Sequence, residues 1–261
     1  MKMKEEQIII NKHYYKPNQS IIMKEIESQL KGLKLIGMSK EYHQLLASKQ
    51  LHNLGFSEGL DMLLQAELEE RKTKRFERLK KKAKFRYQAS LEELIIERAR
   101  GLNKEILHAL GSCDYLEKGE SIIITGATGS GKSFLASALG HQACVIGKSV
   151  AYFNMTKLST KLKMVRAEGT NLVFFERLSK TALLIIDDFG LAPLTKEQKY
   201  DLLEIIEDRH NKTSTLIASQ LPVKTWHEVI GDVTIADAIL DRLVHTAHRI
   251  ELKGESLRKR K

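Results

Sequence analysis

The chain has 261 residues, a formal net charge of +10, and a composition that is 42% hydrophobic and 29% charged. This composition supports a packed core and excludes a chain that is disordered throughout. With only two cysteines, a disulfide framework and a thiolate metal cluster are excluded. No apolar run approaches the roughly 20 residues of a membrane span and no signal peptide is evident, so we expect a cytoplasmic protein without a membrane partner.

The first 90 residues predict a helical region. Apolar side chains recur there at helical spacing in three stretches, and Ser57 stands where it would cap the third predicted helix. Since no Gly or Pro interrupts residues 60–88, this helix is expected to be about 45 Å long. Its first half is expected to pack on its neighbours and its second half to project charge. The stripes are Ile22, Ile26, Leu30 and Leu33, then Tyr42, Leu45 and Leu46, then Leu60, Leu64 and Leu68.

Nearly all of the excess positive charge lies in residues 71–86, which we call the basic run. The basic run contains ten Lys or Arg residues and one Glu, so i,i+4 pairing within it cannot neutralise its charge. We interpret it as a contact to the phosphates of duplex DNA with little base specificity; the alternative is a solvated helix face. The candidate DNA-binding residues are Arg71, Lys72, Lys74, Arg75, Arg78, Lys80, Lys81, Lys82, Lys84 and Arg86.

From Gly119 onward, short β-branched runs alternate with helical segments. This alternation predicts an α/β domain with three αβα layers around a five-stranded parallel sheet. A capping-box pattern at Thr195–Gln198 predicts the start of a helix. A second such pattern at Ser90–Glu93 predicts the start of a new segment of the chain. The predicted strands are Ser121–Thr125, Val150–Phe153, Ala182–Asp187, Thr215–Ala218 and Arg249–Leu252, and the predicted helices lie near 132–146, 157–168, 171–180, 196–210 and 235–246.

A glycine-rich motif follows the first predicted strand and opens a helix. The segment GATGSGKS matches G-x-x-x-x-G-K-[ST] in the context that this pattern requires, which a chance glycine turn does not explain. Its glycines let backbone N–H groups face phosphate oxygens, its Lys is expected to reach the β- and γ-phosphates, and its last Ser to bind Mg²⁺. The motif therefore predicts ATP and Mg²⁺ as ligands of Gly126, Ala127, Thr128, Gly129, Ser130, Gly131, Lys132 and Ser133.

Four further polar residues are candidates for the chemistry. Asp187 and Asp188 end a buried strand, at the edge of the sheet where ligands of parallel sheets bind. Asp187 is expected to position Mg²⁺, and Asp188 either to act as a general base or to cap the following loop. Gln220 ends the next strand, where it either orients the attacking water or forms an ordinary turn. Arg242, on a late helix, either reaches the γ-phosphate of a neighbouring subunit or pairs with an acid of its own helix.

Together these motifs resemble the IstB-type helper ATPases of insertion sequences, relatives of the DnaC helicase loaders in the AAA+ group. The resemblance covers roughly residues 22–258 and rests on GATGSGKSFLA, LLIIDDFG, IASQLPVKTWHEVIGD and ADAILDRLVHTAHRIELKGESLRK. The last two segments are specific to the IstB type, and the first two occur in many P-loop ATPases. The resemblance implies a P-loop AAA+ fold, ATP hydrolysis and homo-oligomers, with Gln220 at the sensor position and Arg242 at the arginine-finger position.

The sequence also departs from the pattern of these relatives. Ala127 stands where many of them have Pro, and Asp188 replaces the Glu of many AAA+ proteins. Because only nine residues follow Leu252, we expect the C-terminal helical lid to be absent and a neighbouring subunit to complete the site. Residues 1–20 look like an extension without a clear counterpart.

These observations predict two domains, a helical DNA-binding and assembly domain at 1–88 and an AAA+ ATPase domain without a lid at 89–261. The expected function is that of an ATP-dependent helper in transposition, which assembles on duplex DNA, recruits or stimulates a transposase, and hydrolyses ATP to disassemble. One rival is a replicative helicase loader of the DnaC type, which should prefer single strands. A small-molecule P-loop kinase is a weaker rival, because it explains neither the basic run nor Arg242.

Overall fold

The structure is a computed structural model that describes residues 19–48 and 54–257. Most of the predicted N-terminal extension therefore lies outside the described residues. The chain divides into two compact units, Met1–Lys74 and Arg75–Lys261. This division falls inside the third helix, earlier in the chain than the predicted domain boundary at residue 88.

Among its described residues, the first unit contains all or part of three α-helices. They are α1 (Gln19–Gly32), α2 (Ile36–Ala47) and α3 (Phe56–Ala83), and α3 continues into the second unit. The backbones of α2 and α3 approach closely, because a Cβ atom on Gly37 would lie 2.3 Å from the carbonyl oxygen of Ala66. The Glu67 carboxylate accepts hydrogen bonds from the backbone N–H groups of Gly37 (2.8 Å) and Met38 (3.3 Å). These N–H groups lie in the first turn of α2, so the carboxylate stabilises the positive end of that helix.

One prediction about α3 is wrong, and a second is confirmed only in part. The helix begins at Phe56, so Ser57 lies inside it and does not cap it. The first half of α3 does contact α2, but this contact is made at Ala66 and Glu67. The stripe of Leu60, Leu64 and Leu68 remains 40%, 47% and 51% exposed in the described structure.

The second unit contains a five-stranded parallel sheet with the order β2-β3-β4-β1-β5 among the described residues. All five predicted strands are confirmed to within about two residues at each end. The runs of β1, β3 and β4 are buried on both faces, as a covered parallel sheet requires, whereas the edge strand β5 buries only Ile250 and Leu252. The strands are β1 (Ile122–Gly126), β2 (Val150–Asn154), β3 (Leu183–Phe189), β4 (Ser214–Ser219) and β5 (His248–Leu252).

Helices cover both faces of this sheet. Alternate residues of the strands enter two different apolar clusters, as the period of two in a strand dictates: Ile123 and Leu184 enter one cluster, Ile122 and Leu183 the other. The first cluster is completed by α7 (Met155–Ala167), α8 (Asn171–Ser179), α9 (Lys196–Arg209), α10 (Trp226–Ile230) and α11 (Val233–Val244). The second is completed by the end of α3, α4 (Lys104–Gly111), α5 (Asp114–Lys118) and α6 (Lys132–Val145). The predicted three-layer αβα fold is confirmed.

The two predicted capping boxes have different outcomes. At Thr195 the box is complete: its hydroxyl accepts from the N–H of Gln198, whose side chain accepts from the N–H of Thr195. At Ser90 only the hydrogen bond from its N–H to Glu93 forms (3.0 Å), and turns follow instead of a helix. The next α-helix, α4, begins at Lys104 after Asn103 caps it. None of the described helices is long and apolar enough to cross a membrane.

Candidate nucleotide-binding site

The glycine-rich motif forms a loop between β1, which ends at Gly126, and α6, which begins at Lys132. Gly126, Gly129 and Gly131 have φ values of +147°, +81° and +103°, a region that side chains other than glycine rarely adopt. A Cβ atom on Gly126 would also lie 2.2 Å from the carbonyl oxygen of Leu252. The three glycines are therefore required by the backbone geometry, and the loop leads directly into a helix N-terminus, which favours anions.

Polar side chains of the loop have defined surroundings. Lys132 is buried, and its Nζ donates hydrogen bonds to the carbonyl oxygens of Gly126 (2.7 Å) and Ala127 (2.9 Å). The hydroxyl of Thr128 donates to Oε1 of Gln220 at 2.7 Å, so the structure brings the predicted sensor residue to the loop. Among the described residues, the Ser130 Oγ atom is buried without a hydrogen-bond partner. A buried hydroxyl of this kind and a positive-φ glycine cradle fit a bound phosphate.

The segment that follows β5 covers the outside of the loop, which the sequence did not indicate. The backbone N–H of Leu257 donates to the carbonyl oxygen of Gly129 at 3.0 Å. A Cβ atom on Gly129 would lie 2.1 Å from Oγ of Ser256. Buried Arg100 donates to the carbonyl oxygen of Glu255 at 3.2 Å and fixes this segment. The described residues after β5 therefore hold the phosphate loop in place.

The acidic edge of the site lies at the end of β3. Asp187 is fully buried, and its Oδ1 accepts from the N–H of Asp188 at 2.9 Å. Ile186 pairs with Ile217 of β4, and Phe189 pairs with Ser219. An advance of three residues along β3 therefore matches an advance of two along β4, so β3 contains a β-bulge with one extra residue. At this bulge Asp188 adopts a φ of +57°. Consecutive side chains of a regular strand point to opposite faces, so the bulge is what lets both carboxylates reach the same side.

Three side chains hold the two carboxylates. Tyr152 donates its hydroxyl to Oδ2 of Asp187, and Asn154 donates its amide to Oδ2 of Asp188 at 2.6 Å. Nη1 of Arg86 lies 3.2 Å from Oδ2 of Asp187 and 2.8 Å from Oδ2 of Asp188. Burial raises the pKa of Tyr152 above its usual range, and the hydrogen bond to Asp187 raises it further. Tyr152 therefore acts as a neutral donor.

Arg86 belongs to the basic run, and sequence analysis placed it among the DNA contacts. The structure instead places its guanidinium on Asp187 and Asp188, which follow it in the chain by about a hundred residues. Partial burial works against the charge of Arg86, but Asp188 and Asp187 outweigh this effect and raise the pKa of Arg86 above its usual range. No local pattern in the sequence indicates this contact.

The other cations of the basic run have different surroundings. Arg71, Lys72 and Lys74 pair with Glu67, Glu69 and Glu70, acids that lie just before the run and were left out of its charge count. In the second unit, Arg75 donates to the carbonyl oxygen of Gly147 at 2.6 Å, and Lys80 pairs with Glu77. In the part of the chain that the structure describes, no ion pair is formed by Arg78, Lys81, Lys82 or Lys84, and all four are exposed.

Arg242 lies near the end of α11. Its guanidinium donates to the carbonyl oxygen of Ala238 at 2.9 Å and pairs with Glu207 of α9 at 3.1 Å. Its partner is thus an acid of another helix, not one of its own helix as the alternative interpretation had it. The side chain remains 28% exposed. Neither of these contacts of the Arg242 guanidinium is with the phosphate loop.

The oxygen atoms of the candidate site are of the kind that bind Mg²⁺ together with a nucleotide. No group of three or more His, Cys, Asp or Glu side chains that could hold a metal occurs in residues 19–48 and 54–257. A site for Mg²⁺ on a nucleotide needs only one or two protein oxygens, because phosphates and waters supply the others. The buried carboxylate of Asp187 and the hydroxyl of Ser133 at the start of α6 are oxygen donors of the required kind, so the residues present fit this ion.

The fold and the loop define an ATP-binding protein with a P-loop AAA+ fold. Its structure is similar to that of the DnaC helicase loader, with a TM-score of 0.53 and 20% identity over 64% of this chain and 98% of that one. It is also similar to that of DnaI, with a TM-score of 0.56 and 18% identity over 64% and 92% of the two chains. Within this class, residues 28–261 match the family described as IstB-like ATP binding protein, and the chain belongs to that family.

Two curated relatives agree with this assignment. The chain is 42% identical to the insertion sequence ATP-binding protein y4pL of Sinorhizobium fredii, over 88% of this chain and 94% of the relative. It is 30% identical to the IS21 ATP-binding protein of Pseudomonas aeruginosa, over 90% and 89% of the two chains. Both relatives are named as insertion-sequence ATP-binding proteins, and the resemblance to the IstB type noted from the motifs is confirmed.

Proposed function

We propose that this protein is an ATPase that assembles on duplex DNA and serves a transposase. ATP would favour an oligomer bound to DNA, this complex would recruit or stimulate the transposase, and hydrolysis would disassemble it. The observation that carries the proposal is that the phosphate loop and a buried, doubly acidic strand end lie at the same edge of the parallel sheet, in a member of the IstB-like family of ATP-binding proteins. These two features support a hydrolytic nucleotide site in the second unit.

The roles of the nucleotide-site residues follow from their chemistry. The backbone N–H groups of the loop and the Lys132 ammonium would bind the phosphates, and Ser133 and Asp187 would hold Mg²⁺. When bound, Mg²⁺ would neutralise charge on the phosphates of ATP. Asp188 would accept a proton from the attacking water, and Asn154 would orient the Asp188 carboxylate. Gln220 would position that water from its place beside Thr128.

A neighbouring subunit would complete the site. Arg242 is held by Glu207 and Ala238 on the surface of its own unit, and a guanidinium in that position suits a γ-phosphate bound by another copy. We therefore expect Arg242→Ala to retain ATP affinity within about twofold and to lose roughly a thousandfold in turnover on DNA. Glu207→Gln is the matched control, because it removes the intrachain partner and leaves the guanidinium. Wild-type turnover of Arg242→Ala would remove the arginine-finger role.

DNA binding would rest on the cations of the basic run that no carboxylate neutralises. Arg78, Lys81, Lys82 and Lys84 are exposed and make no ion pair with any described residue, so each can release a counterion from a DNA phosphate. Their contacts would be to the backbone, which agrees with a helper that does not choose its target by sequence.

The proposal is tested by sizing the protein with duplex DNA, with and without a nonhydrolysable ATP analogue. We expect a large complex only when both are present, and its disassembly when ATP replaces the analogue. A complex that forms equally well without nucleotide contradicts the role of ATP as the assembly signal. Stimulation of the transposase encoded by the same insertion sequence, measured as strand transfer, tests the partner.

A helicase-loader function is the second candidate, and it has the fold shared with DnaC in its favour. The same sizing experiment separates the two when single-stranded DNA of equal length is included. A transposition helper should prefer the duplex, and a strong preference for the single strand would favour the loader. Phosphoryl transfer to a metabolite, without stimulation by DNA, would instead favour a small-molecule kinase.

A further inference from the structure

Arg86 is the residue of the nucleotide site whose role neither the motifs nor the family explains. A single nitrogen atom, Nη1, lies within 3.2 Å of Asp187 and 2.8 Å of Asp188. Asp187 is fully buried and Asp188 is only 18% exposed. Two adjacent carboxylates with so little water around them repel each other strongly unless a cation lies between them. The guanidinium of Arg86 supplies that charge.

The backbone that carries Arg86 is fixed by its neighbours. Helix α3 ends at Ala83, which is buried, and Lys84 follows with a φ of +58°, so the chain turns sharply there. The ring of Phe85 packs edge-on against Tyr152, and the ring of Tyr87 packs against Phe134. Since the residues on both sides are held by the core of the second unit, the position of the Arg86 guanidinium is built into the fold.

The same carboxylate oxygens are the ones that a divalent cation would use. Asp187 is the residue that fits Mg²⁺, and Oδ2 of Asp187 is already occupied by Tyr152 and Arg86. A hard cation placed on this carboxylate would face the guanidinium at close range, and like charges at such distances repel. Binding of Mg²⁺ to Asp187 would therefore weaken the contact of Arg86 with Asp187, and the reverse holds as well. The contact of Arg86 with Asp188 can remain.

We propose that Arg86 is a built-in counter-ion of the acidic edge, which holds Asp187 and Asp188 together and competes with Mg²⁺ for Asp187. The proposal rests on the Mg²⁺·ATP site described under the proposed function. In this arrangement Arg86 is a positioning residue: it sets how much Mg²⁺ is needed to bind nucleotide, and it keeps Asp188 in place for the water.

The test is a titration with Mg²⁺ of the binding of a fluorescent ATP analogue, which needs no turnover. In Arg86→Ala the two carboxylates lose their counter-ion, so the Mg²⁺ concentration at half-maximal binding should fall about tenfold, a coupling of typical size. Turnover at saturating Mg²⁺ should fall as well, because Asp188 is no longer held. Arg86→Lys keeps the charge but not the planar fork, and its midpoint should lie between the two.

The matched control is Arg249→Ala, which removes an exposed arginine of β5 whose guanidinium bonds only to the carbonyl of Val244 among the described residues. Its Mg²⁺ midpoint should equal that of the wild type. If wild-type binding depends on Mg²⁺ but the Mg²⁺ midpoint is unchanged or raised in both Arg86 variants, the inference about Arg86 is overturned and the proposed function is not. Wild-type binding that does not depend on Mg²⁺ overturns the proposed function instead. A loss of unfolding free energy without a shift of the midpoint would mark Arg86 as merely structural.

Discussion

The phosphate loop, residues 126–133, and the basic run, residues 71–86, were both found by their sequence pattern, but the pattern specifies far more in one than in the other. In the loop, each glycine corresponds to a backbone angle that only glycine adopts readily, and the spacing fixes the positions of Lys132 and Ser133. In the basic run, ten residues of one charge type have at least three kinds of surroundings. A motif defined by backbone geometry assigns roles residue by residue, whereas a run defined by charge assigns only an overall tendency.

The largest effect is expected from the loop. Lys132→Ala removes the ammonium that would bind the β- and γ-phosphates, and loss of two charge-assisted contacts should weaken ATP binding by about a thousandfold. Assembly on DNA that depends on ATP should disappear with it. Equilibrium binding of a fluorescent ATP analogue measures the change, and Lys118→Ala, which removes an exposed lysine of α5, is the control. Retained binding in Lys132→Ala would mean that the motif does not bind phosphate.

The next largest effect is expected from the basic run. Replacing Arg78, Lys81 and Lys82 with Glu should weaken duplex binding by about a hundredfold and reduce the slope of log K against log salt by about 2.7, that is, about 0.9 for each phosphate contact. ATP binding should not change.

The control for this variant makes the same charge change at three exposed lysines elsewhere in the second unit, Lys104, Lys118 and Lys212. Fluorescence anisotropy at several salt concentrations measures both the affinity and the slope. If the two triple variants lose affinity equally, the effect is one of net charge, and the basic run becomes a solvated helix face.

A smaller effect is expected from the contact between the phosphate loop and the segment that follows β5. Gly129→Ala introduces a Cβ atom that would lie 2.1 Å from Oγ of Ser256 at a φ of +81°. Strain and clash together should lower the free energy of unfolding by about 2–3 kcal/mol, as measured by urea denaturation. Gly169→Ala is matched, because its φ is +68° but nothing lies within 4 Å, and it should cost only about 1 kcal/mol. If the segment after β5 is the cause, adding Ser256→Gly should restore part of the loss.

The smallest effect concerns a cation of the basic run that is already engaged. Arg75→Gln removes the hydrogen bond to the carbonyl oxygen of Gly147, and because this contact is exposed the unfolding free energy should fall by only about 0.5–1 kcal/mol. Its effect on DNA affinity should be smaller than that of a single substitution at Lys82, which makes no ion pair in the described chain. Equal losses of DNA affinity at Arg75 and Lys82 would show that a contact within the chain does not reduce the contribution of a cation of the basic run to DNA binding.

The sheet could be predicted because its signal is local. Each strand is a short run of β-branched or leucine residues, and a parallel sheet buried on both faces needs such runs. The nucleotide-binding loop and Asp187 could be predicted for the same reason: each stands directly after one of these strands. Gln220 could be predicted as a candidate because it follows a predicted strand; the structure adds that this strand adjoins β1 and that Gln220 accepts a hydrogen bond from Thr128.

The contacts that could not be predicted join residues far apart in the chain. Arg86 and Asp187 meet only through the packing of the turn after α3 against β2 and α6. The leucines of α3 have helical periodicity but are exposed, and α3 instead contacts α2 at Ala66 and Glu67, opposite Gly37 of a different helix. Ser57 and Ser90 carry local capping signals that were overridden, since α3 starts earlier and the chain after Ser90 turns instead. Capping is worth about 1 kcal/mol, which tertiary packing easily exceeds.

The bulge in β3 gives the acidic pair an unusual genetic vulnerability. Because two residues on β3, Asp187 and Asp188, lie opposite one residue on β4, the side on which each carboxylate lies depends on the number of residues as much as on their identity. A deletion of one codon at this point would remove the bulge and leave a single Asp at the strand end, so the pair of carboxylates would be lost. Reading-frame-preserving changes that look mild in an alignment would therefore be among the most damaging here, whereas a conservative exchange of Asp188 for Glu would keep the count intact.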